Sequence, residues 1–252
     1  MDLGLKDKVA VVVGGSSNIG RACSLRLVEE GAKVMIAYSS NDEKAKASLA
    51  DMHAAGGESC ACAYKCDVTE EAAVDAMFRH AIDAFGKVDI LIYSAMLWPT
   101  NKMQDIPLSE WKRTMDVNMT GVFLTNRWLA NYWLENKRGG NILNFSSQAA
   151  FKGSTTFHSH YAAAKAAVVA FTVSAARELG KYGIIINSIA PGMTVSPGTY
   201  SQETLDYYKT RIPMGRVGNP EEMADIVAFL VSPKNSYMLG ATVDVSGGML
   251  MR

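Results

Sequence analysis

The feature that most constrains this chain is a regular alternation of short, almost wholly apolar runs with longer stretches of helical periodicity. The apolar runs lie at 8–15, 32–40, 59–67, 88–95, 140–147, 183–191 and 241–248. Runs of this kind are typical of strands in a parallel sheet that helices cover on both faces. Helical patterns fill the intervals, at about 19–30, 42–55, 70–85, 109–136, 160–181 and 220–231.

Strands and helices that alternate in this way imply right-handed crossover connections. We therefore predict an α/β fold built on a doubly wound parallel sheet of seven strands. No linker, composition break or internal repeat divides the sequence, so residues 1–252 are predicted to form a single domain. The one long irregular segment, about 191–219, is predicted to be a substrate-binding loop.

The charge balance limits the partners that this chain could take. Lys and Arg number 25 together, as do Asp and Glu, so no basic excess favours nucleic acid or an anionic membrane. No apolar run approaches the roughly 20 residues that cross a bilayer, and the first residues do not resemble a signal peptide. We predict a cytoplasmic location, with neither a membrane nor a nucleic acid as partner.

Three of the four cysteines lie in "CACAYKC" (60–66), at alternate positions that suit one face of a strand. Zinc sites usually pair turns of the CxxC type with a second cluster of ligands, and the sequence offers no such cluster. We predict small buried thiols in a reducing compartment and no metal site.

A glycine-rich turn, "VVVGGSSNIG" (11–20), joins the first predicted strand to the first helix. Small residues let the backbone approach a pyrophosphate, and the helix N-terminus offers free N–H groups and the positive end of a dipole. The spacing does not match the strict GxGxxG fingerprint, and such a turn can merely cap a helix. Its place after the first strand favours a dinucleotide site.

This turn is similar to the TGxxxGxG segment of the short-chain dehydrogenase/reductases, with Val13 in the Thr place and Asn18 in the place of the middle glycine. Asn is the non-glycine residue that best tolerates a positive φ, so the turn can keep its shape. Asp67-Val68 resembles the adenine-contacting pair of that family, although "DVTEE" equally suits a helix cap. Residues 93–96 stand where the family usually has NNAG, and Met96 should narrow the space beside a cofactor.

The resemblance continues almost to the C-terminus, through "INSIAPG" (186–192) and "YMLGATVDVSGG" (237–248). It implies a Rossmann-type fold, a homotetramer that shares the helices at 109–136 and 160–181, and an NAD(P)-dependent oxidoreductase. It implies cofactor contacts from Gly14, Ser16, Ser17, Asn18, Ile19, Tyr38, Ser39, Ser40, Asp67, Val68, Ser94, Ala95, Tyr161, Lys165, Pro191, Gly192 and Thr194, with Ser196 as a second contact beside Thr194.

The end of the second strand bears on the choice of cofactor. NAD-preferring versions of this fold usually have an acidic residue there, bound to the ribose diol. Tyr38 occupies that place, followed by Ser39, Ser40 and Asn41, which could donate hydrogen bonds to a 2′-phosphate. No arginine lies in this stretch to bind the phosphate strongly. NADP(H) is favoured over NAD(H).

"YAAAK" (161–165) places a phenol and an ammonium four residues apart, on the same side of a helix. Tyrosine ionises near pH 10, and a nearby ammonium stabilises the phenolate, which brings the pKa of the phenol into a range useful for proton transfer. A helix of this composition also produces the pair by chance, with a core tyrosine and an exposed lysine. The spacing by itself does not decide between the two.

The family resemblance assigns four catalytic residues in this region: Asn118, Ser147, Tyr161 and Lys165. It implies that Tyr161 exchanges the proton on oxygen, that Lys165 lowers the pKa of the tyrosine and holds the ribose hydroxyls, that Ser147 orients the substrate oxygen, and that Asn118 positions a water. Ser146 is a rival for the serine role. No metal is needed for this chemistry.

Several side chains should rim the substrate site, although loop packing and subunit contacts would account for at least half of them. They are Met96, Leu97, Trp98, Gln148, Phe151, Phe157, His158, His160, Met193, Tyr200, Tyr207 and Tyr208. If several face the cavity, the pocket is broad and apolar and suits a bulky or aromatic carbonyl compound. We interpret His158 and His160 as a polar helix entry.

The leading hypothesis is an NADPH-dependent reductase of a ketone or aldehyde, or the reverse alcohol oxidation, acting on a small organic substrate. A 3-oxoacyl-thioester reductase is the close alternative, although the sequence shows no marked basic patch that would dock a carrier protein. A cofactor-binding regulator without turnover is the alternative from another class. Asn18 and Met96 favour it slightly, and the Tyr161/Lys165 pair argues against it.

Overall fold

The computed structural model describes residues 2–154, 156–195 and 200–251 and has at its centre one seven-stranded parallel sheet. The strands are β1 Val9–Val13, β2 Lys33–Tyr38, β3 Ala61–Lys65, β4 Ile90–Tyr93, β5 Gly140–Phe145, β6 Ile184–Pro191 and β7 Thr242–Val245. Their order across the sheet is β3-β2-β1-β4-β5-β6-β7, with every neighbouring pair parallel. The predicted doubly wound α/β fold is confirmed.

Helices connect these strands, and in the described ranges none has the length and apolar character needed to span a membrane. The helices are α1 Asn18–Glu29, α2 Asp42–Gly56, α3 Glu71–Phe85, α4 Leu108–Met115, α5 Gly121–Glu135, α6 Ala149–Lys152, α7 Ser159–Leu179, α8 Gln202–Lys209 and α9 Pro220–Leu230. The six predicted helical segments all form, and the segment at 109–136 divides into α4 and α5.

Two hydrophobic cores lie on opposite faces of the sheet, and alternate residues of β1 show the division. Ala10 and Val12 pack into the core that includes α1 and α9, whereas Val11 and Val13 pack into the core that includes α3, α5 and α7. Successive strand side chains point to opposite faces. Burial on both faces is therefore the reason that the strand sequences are continuously apolar.

A π-helical turn, Asp116–Thr120, separates α4 from α5. The Tyr93 hydroxyl donates a hydrogen bond to the Val117 carbonyl oxygen at 2.6 Å, which anchors this turn to the end of β4. A side chain at Gly121 would collide with the same hydroxyl. The apolar periodicity of 109–136 predicts one unbroken helix, and that prediction is wrong at this turn. The turn adds one residue without interrupting the buried face, so the periodicity does not reveal it. Such π turns often occur at functional sites.

The segment predicted to be irregular, about 191–219, contains α8. A parallel bridge between Thr194 and Gly218 joins the two ends of the segment. Ser201 starts the helix, because its hydroxyl accepts the backbone N–H of Thr204 at 3.3 Å. The prediction of a wholly irregular loop was therefore wrong for 202–209.

Truncating Trp133 to Ala is expected to lower the free energy of unfolding by about 3–5 kcal/mol. Trp133 is fully buried on α5, and its indole N–H donates to the Val88 carbonyl oxygen at 2.8 Å, so the variant gains a cavity and an unpaired acceptor. The matched control is Trp111→Ala on α4, where the side chain is 40% exposed. Urea denaturation of both variants measures the difference; equal losses would contradict the packing role.

Candidate active site

The turn after β1 is built by close backbone contact with the end of β4. Gly14 has a φ of +81°, and a Cβ there would lie 2.7 Å from the backbone nitrogen of Ala95. A Cβ on Gly20, in the first turn of α1, would overlap the Gly14 carbonyl group. Asn18 takes a φ of +45°, the left-handed conformation expected of it. The turn thus places the N-terminus of α1, which the Ser17 side chain does not cap, at the carboxyl edge of the sheet.

A cavity of about 500 Å³ opens at this edge of the sheet. Most of the predicted cofactor-binding residues line it: Gly14, Ser16, Ser17, Asn18, Ile19, Tyr38, Ser39, Asp67, Val68, Ser94, Ala95, Tyr161, Lys165, Pro191, Gly192 and Thr194. Ser40 is not among the lining residues, and Ser196 lies outside the described residues. The cavity therefore joins the glycine turn to the Tyr–Lys pair.

Tyr161 and Lys165 lie one turn apart on α7, and both are buried. The Lys165 ammonium nitrogen is 5.7 Å from the centre of the Tyr161 ring, and it donates to the Phe145 carbonyl oxygen at 2.7 Å. The Ser147 hydroxyl is hydrogen-bonded to the Tyr161 side chain and also accepts the backbone N–H of Ala149 at 3.1 Å. The end of β5 and the first turns of α7 thus bring the three side chains together.

The two candidate serines occupy different environments. Ser146 donates its hydroxyl to the Lys165 backbone carbonyl at 2.9 Å, which ties the end of β5 to α7. Ser147 follows it and reaches the Tyr161 side chain. Because the Ser146 proton is already committed to a backbone carbonyl, the geometry favours Ser147 as the serine that could reach a substrate oxygen.

Asn118 is fully buried in the π-helical turn and is not among the residues that line the cavity. Its side-chain amide donates to the carbonyl oxygens of Leu97 and Thr114 at 2.8 and 2.9 Å. Its side-chain oxygen accepts the Leu97 N–H at 3.3 Å. The side chain therefore fixes the backbone of the loop after β4, close to the site but not in it.

Burial favours the neutral form of both Tyr161 and Lys165. It raises the pKa of Tyr161 to about 12, although the hydrogen bond with Ser147 opposes the shift, and it lowers the pKa of Lys165 to about 7. The expected lowering of the tyrosine pKa is thus not seen, because loss of solvation on burial is the larger cause. A lysine with this pKa can gain or lose a proton near neutrality.

The cavity has aromatic side chains beside Tyr161. The Trp98 ring stacks on His158 with centroids 4.4 Å apart and lies 6.4 Å from the Tyr161 ring. His158 is buried, and its Nδ1 lies 2.7 Å from the Pro99 carbonyl oxygen. His160 is also buried, 3.2 Å from Glu110. Both histidines therefore lie at the entry of α7 as interpreted, His158 as the residue that precedes the helix and His160 in its first turn, but they are buried.

The predicted rim residues fall into two groups. Those that line the cavity are Met96, Leu97, Trp98, Gln148, Met193, Tyr200 and Tyr208. Those that do not are Phe151, Phe157, His158, His160 and Tyr207. Met96 lies close to Tyr161, whose hydroxyl is 3.8 Å from the Met96 sulfur.

Two cations in the lining were missed by sequence reasoning. Arg113 on α4 lies near the turn after β3 and bonds to Asp67, and Lys152 at the end of α6 donates to the Met249 carbonyl oxygen at 3.3 Å. Neither stands in a motif, and nothing in the sequence shows that α4 passes Asp67. Their place in the cavity follows from the packing alone.

This fold, with a glycine turn and a buried Tyr–Lys pair on one cavity, defines an NAD(P)-dependent oxidoreductase of the Rossmann type. A family model described as "Enoyl-(Acyl carrier protein) reductase" matches residues 13–250. The chain belongs to the short-chain dehydrogenase/reductase family.

Relatives match it over nearly their full length. The 3-oxoacyl-[acyl-carrier-protein] reductase FabG of Staphylococcus aureus is 37% identical over 97% of this chain and 98% of its own. The 3-oxoacyl-[acyl-carrier-protein] reductase of Synechocystis is 34% identical over 98% of each chain.

Solved structures agree with this assignment. A short chain dehydrogenase from Bacillus anthracis superposes with a TM-score of 0.91 at 30% identity, covering 99% of this chain and 98% of its own. A short-chain dehydrogenase/reductase from Serratia marcescens gives 0.90 at 32% identity, covering 98% and 99%.

Proposed function

We propose that this protein is an NADPH-dependent reductase that converts a carbonyl group to an alcohol. The observation that carries the proposal is that Ser147, Tyr161 and Lys165 meet on the wall of a cavity that also reaches the glycine turn. Gly14 and Gly20 support cofactor binding, because any side chain at either position would close the turn. The residues present therefore fit a dinucleotide, whose pyrophosphate would lie at the N-terminus of α1.

Each catalytic side chain has a role that its surroundings support. Tyr161 gives its hydroxyl proton to the substrate oxygen, and Ser147 donates a hydrogen bond to the same oxygen. Lys165 holds a proton near neutral pH and returns it to the tyrosine, and it also binds the ribose hydroxyls. Asn118 keeps the loop after β4 in place through Leu97. When bound, the nicotinamide supplies the hydride for the carbonyl carbon.

The preference for NADPH rests on the end of β2. Tyr38 lines the cavity where NAD-preferring relatives have a carboxylate, and the nearby Asp42 carboxylate is paired with Lys65 at 3.1 Å. The described part of this region therefore presents no unpaired acid to a 2′-phosphate. Ser39 lines the cavity as a possible donor, whereas Asn41 caps α2 by accepting the Lys44 N–H.

Tyr38→Asp is expected to shift the ratio of kcat/KM for NADPH over NADH by about 10-fold or more toward NADH. The new carboxylate would accept the ribose hydroxyls of NADH and repel the 2′-phosphate of NADPH. Tyr38→Asn is the matched control, because it has the same shape without the charge. An unchanged ratio in the Asp variant would contradict this account of cofactor choice.

A 3-oxoacyl thioester is the second candidate substrate, and the names of the two relatives favour it. The broad cavity with Trp98 and Met96 on its wall suits instead a bulky ketone or aldehyde. Both substrates would use the same side chains, so the two candidates differ only in what binds beyond the carbonyl group.

The test is a fluorescence titration with NADPH and NADH, followed by NADPH oxidation with ketones, aldehydes and acetoacetyl-CoA. Turnover of any of these carbonyl compounds would support the reductase, and the preferred one would identify the class. Tight binding without turnover across the panel would overturn the proposal in favour of a regulator.

We further propose that residues 1–252 act as one domain, in which the segment 191–219 lies over the substrate.

We also propose that the protein is cytoplasmic and forms a homotetramer. α5 and α7 would form the shared surfaces. Phe123 on α5 is 39% exposed and meets Phe171 of α7 edge-on, with ring centroids 6.3 Å apart, which leaves an apolar face at this position. Sedimentation equilibrium measures the assembly, and a monomer at micromolar concentration would contradict it.

A further inference from the structure

The guanidinium group of Arg113 is held in a fixed orientation at the nucleotide end of the cavity. One nitrogen donates to Asp67 Oδ2 at 3.1 Å and another donates to Thr69 Oγ1 at 3.0 Å. Asp67 is itself fixed, since its Oδ1 accepts the Thr69 N–H at 3.0 Å and the Thr69 hydroxyl at 2.7 Å. The loop after β3 therefore sets the plane of this side chain.

The same side chain lines the cavity together with Val68, Val117 and Ser39. The two valines give this end of the cavity an apolar surface, and Val68 is buried. Hydrogen bonds from the edge of a guanidinium leave its faces for stacking, and arginine readily stacks on aromatic rings. A fixed cationic plane beside apolar side chains suits a flat heteroaromatic ring.

Arg113 is also the cation that the nucleotide end would otherwise lack. Among the described residues that line the cavity, the other cations are Lys152 and Lys165, which follow β5 in the chain and lie on α6 and α7. The order of the strands places Arg113 and Asp67 on the opposite side, near β3.

A simple surface ion pair is the competing explanation for Arg113. The Arg113 and Asp67 side chains are 49% and 44% exposed, and pairs this exposed contribute only about 0–1 kcal/mol to stability. Such a pair would fasten α4 to the loop after β3 and would not affect ligand binding. The two explanations differ in their consequence, since only stacking makes the affinity for a nucleotide depend on Arg113.

We propose that Arg113 binds the adenine ring of the dinucleotide by stacking its guanidinium plane on the base. The inference rests on the proposed function, since it requires that the cavity bind a nicotinamide dinucleotide. Asp67 and Thr69 then act as positioning residues, which hold the guanidinium in the stacking orientation.

The test compares dissociation constants for NADPH, NADH and reduced nicotinamide mononucleotide, which lacks the adenosine. Arg113→Ala is expected to weaken binding of both dinucleotides by the same factor, about 3- to 10-fold, and to leave the mononucleotide unaffected. Arg113→Lys should also bind the dinucleotides weakly, because an ammonium group has no planar face to stack on the base. Thr69→Val keeps the arginine but removes one of the hydrogen bonds that orient its guanidinium. It should weaken the binding of both dinucleotides about twofold.

Arg79→Ala on α3 is the matched control, because it also removes an exposed arginine paired with an aspartate, at 2.8 Å. Unchanged dinucleotide affinity in Arg113→Ala, or full rescue by Lys, would overturn the stacking role. A loss confined to NADPH would overturn it in favour of a phosphate contact. If the unchanged protein bound neither dinucleotide, the proposed function would fail as well, so the two failures are distinguishable.

Discussion

Tyr161→Phe is expected to reduce kcat by about 100- to 10,000-fold while leaving the dissociation constant for NADPH nearly unchanged. The variant loses only the hydroxyl, which in the structure is hydrogen-bonded to Ser147 and lies 3.8 Å from the Met96 sulfur. The ring remains against Trp98, and the glycine turn is untouched. A proton donor is therefore removed while the glycine turn and Lys165 stay in place. Single-turnover kinetics and a fluorescence titration measure the two effects separately.

Tyr182→Phe provides the matched control for this experiment. Tyr182 follows α7 and is 50% exposed, and it does not line the cavity. Its variant should retain full turnover and stability. Normal turnover in Tyr161→Phe would refute the acid/base role, and a loss of NADPH affinity as large as the loss of kcat would show that the hydroxyl serves binding.

The strands could be predicted because burial on both faces leaves a strong signal in the sequence. Val11 and Val12 point to opposite cores, and a run of this kind is hard to produce in any other fold. The crossover rule then makes the sheet parallel, so that the glycine turn and Ser147, which follow strands, lie at the same edge of the sheet.

What the sequence could not predict depends on contacts between distant segments. The π-helical turn that contains Asn118 is anchored by the Tyr93 hydroxyl, which binds Val117 from 24 residues away along the chain. Arg113 lines the cavity from α4, where Asp67 and Thr69 of the loop after β3 bind it. The local periodicity of the sequence does not reveal such contacts between distant segments. Each contact changes the position of a side chain at the site.

The ionisation of the Tyr–Lys pair is a similar case. The spacing of Tyr161 and Lys165 correctly places them on one side of a helix, but it says nothing about solvent. Burial raises the pKa of the phenol and lowers that of the amine. The amine, with a pKa of about 7, is therefore the group of the pair that titrates near neutrality, and its removal should have consequences beyond catalysis.

Lys165→Met is expected to reduce kcat at least about 100-fold and also to change how stability depends on pH. Folding lowers the pKa of Lys165 from 10.5 to about 7, so between these values the unfolded chain holds a proton that the folded chain has released. The contribution of Lys165 to stability must then rise with pH from about 7 to 10, and the buried amine is most destabilising below pH 7. In the methionine variant this rise, a few kcal/mol in the unchanged protein, should be absent.

The pH range of the measurement follows from the neighbouring groups. Tyr161 has its pKa raised from 10.0 to about 12, so it would lower stability only above pH 10, and urea denaturation between pH 7 and 9.5 avoids its contribution. The Phe145 carbonyl loses its donor in the variant, which costs about 1–3 kcal/mol at every pH and leaves the slope unaffected. Lys181→Met, which removes an exposed lysine, controls for the loss of a positive charge. If the stability of the methionine variant rose with pH as steeply as that of the unchanged protein, Lys165 would not be the group that titrates. No other change in the variant depends on pH in this range.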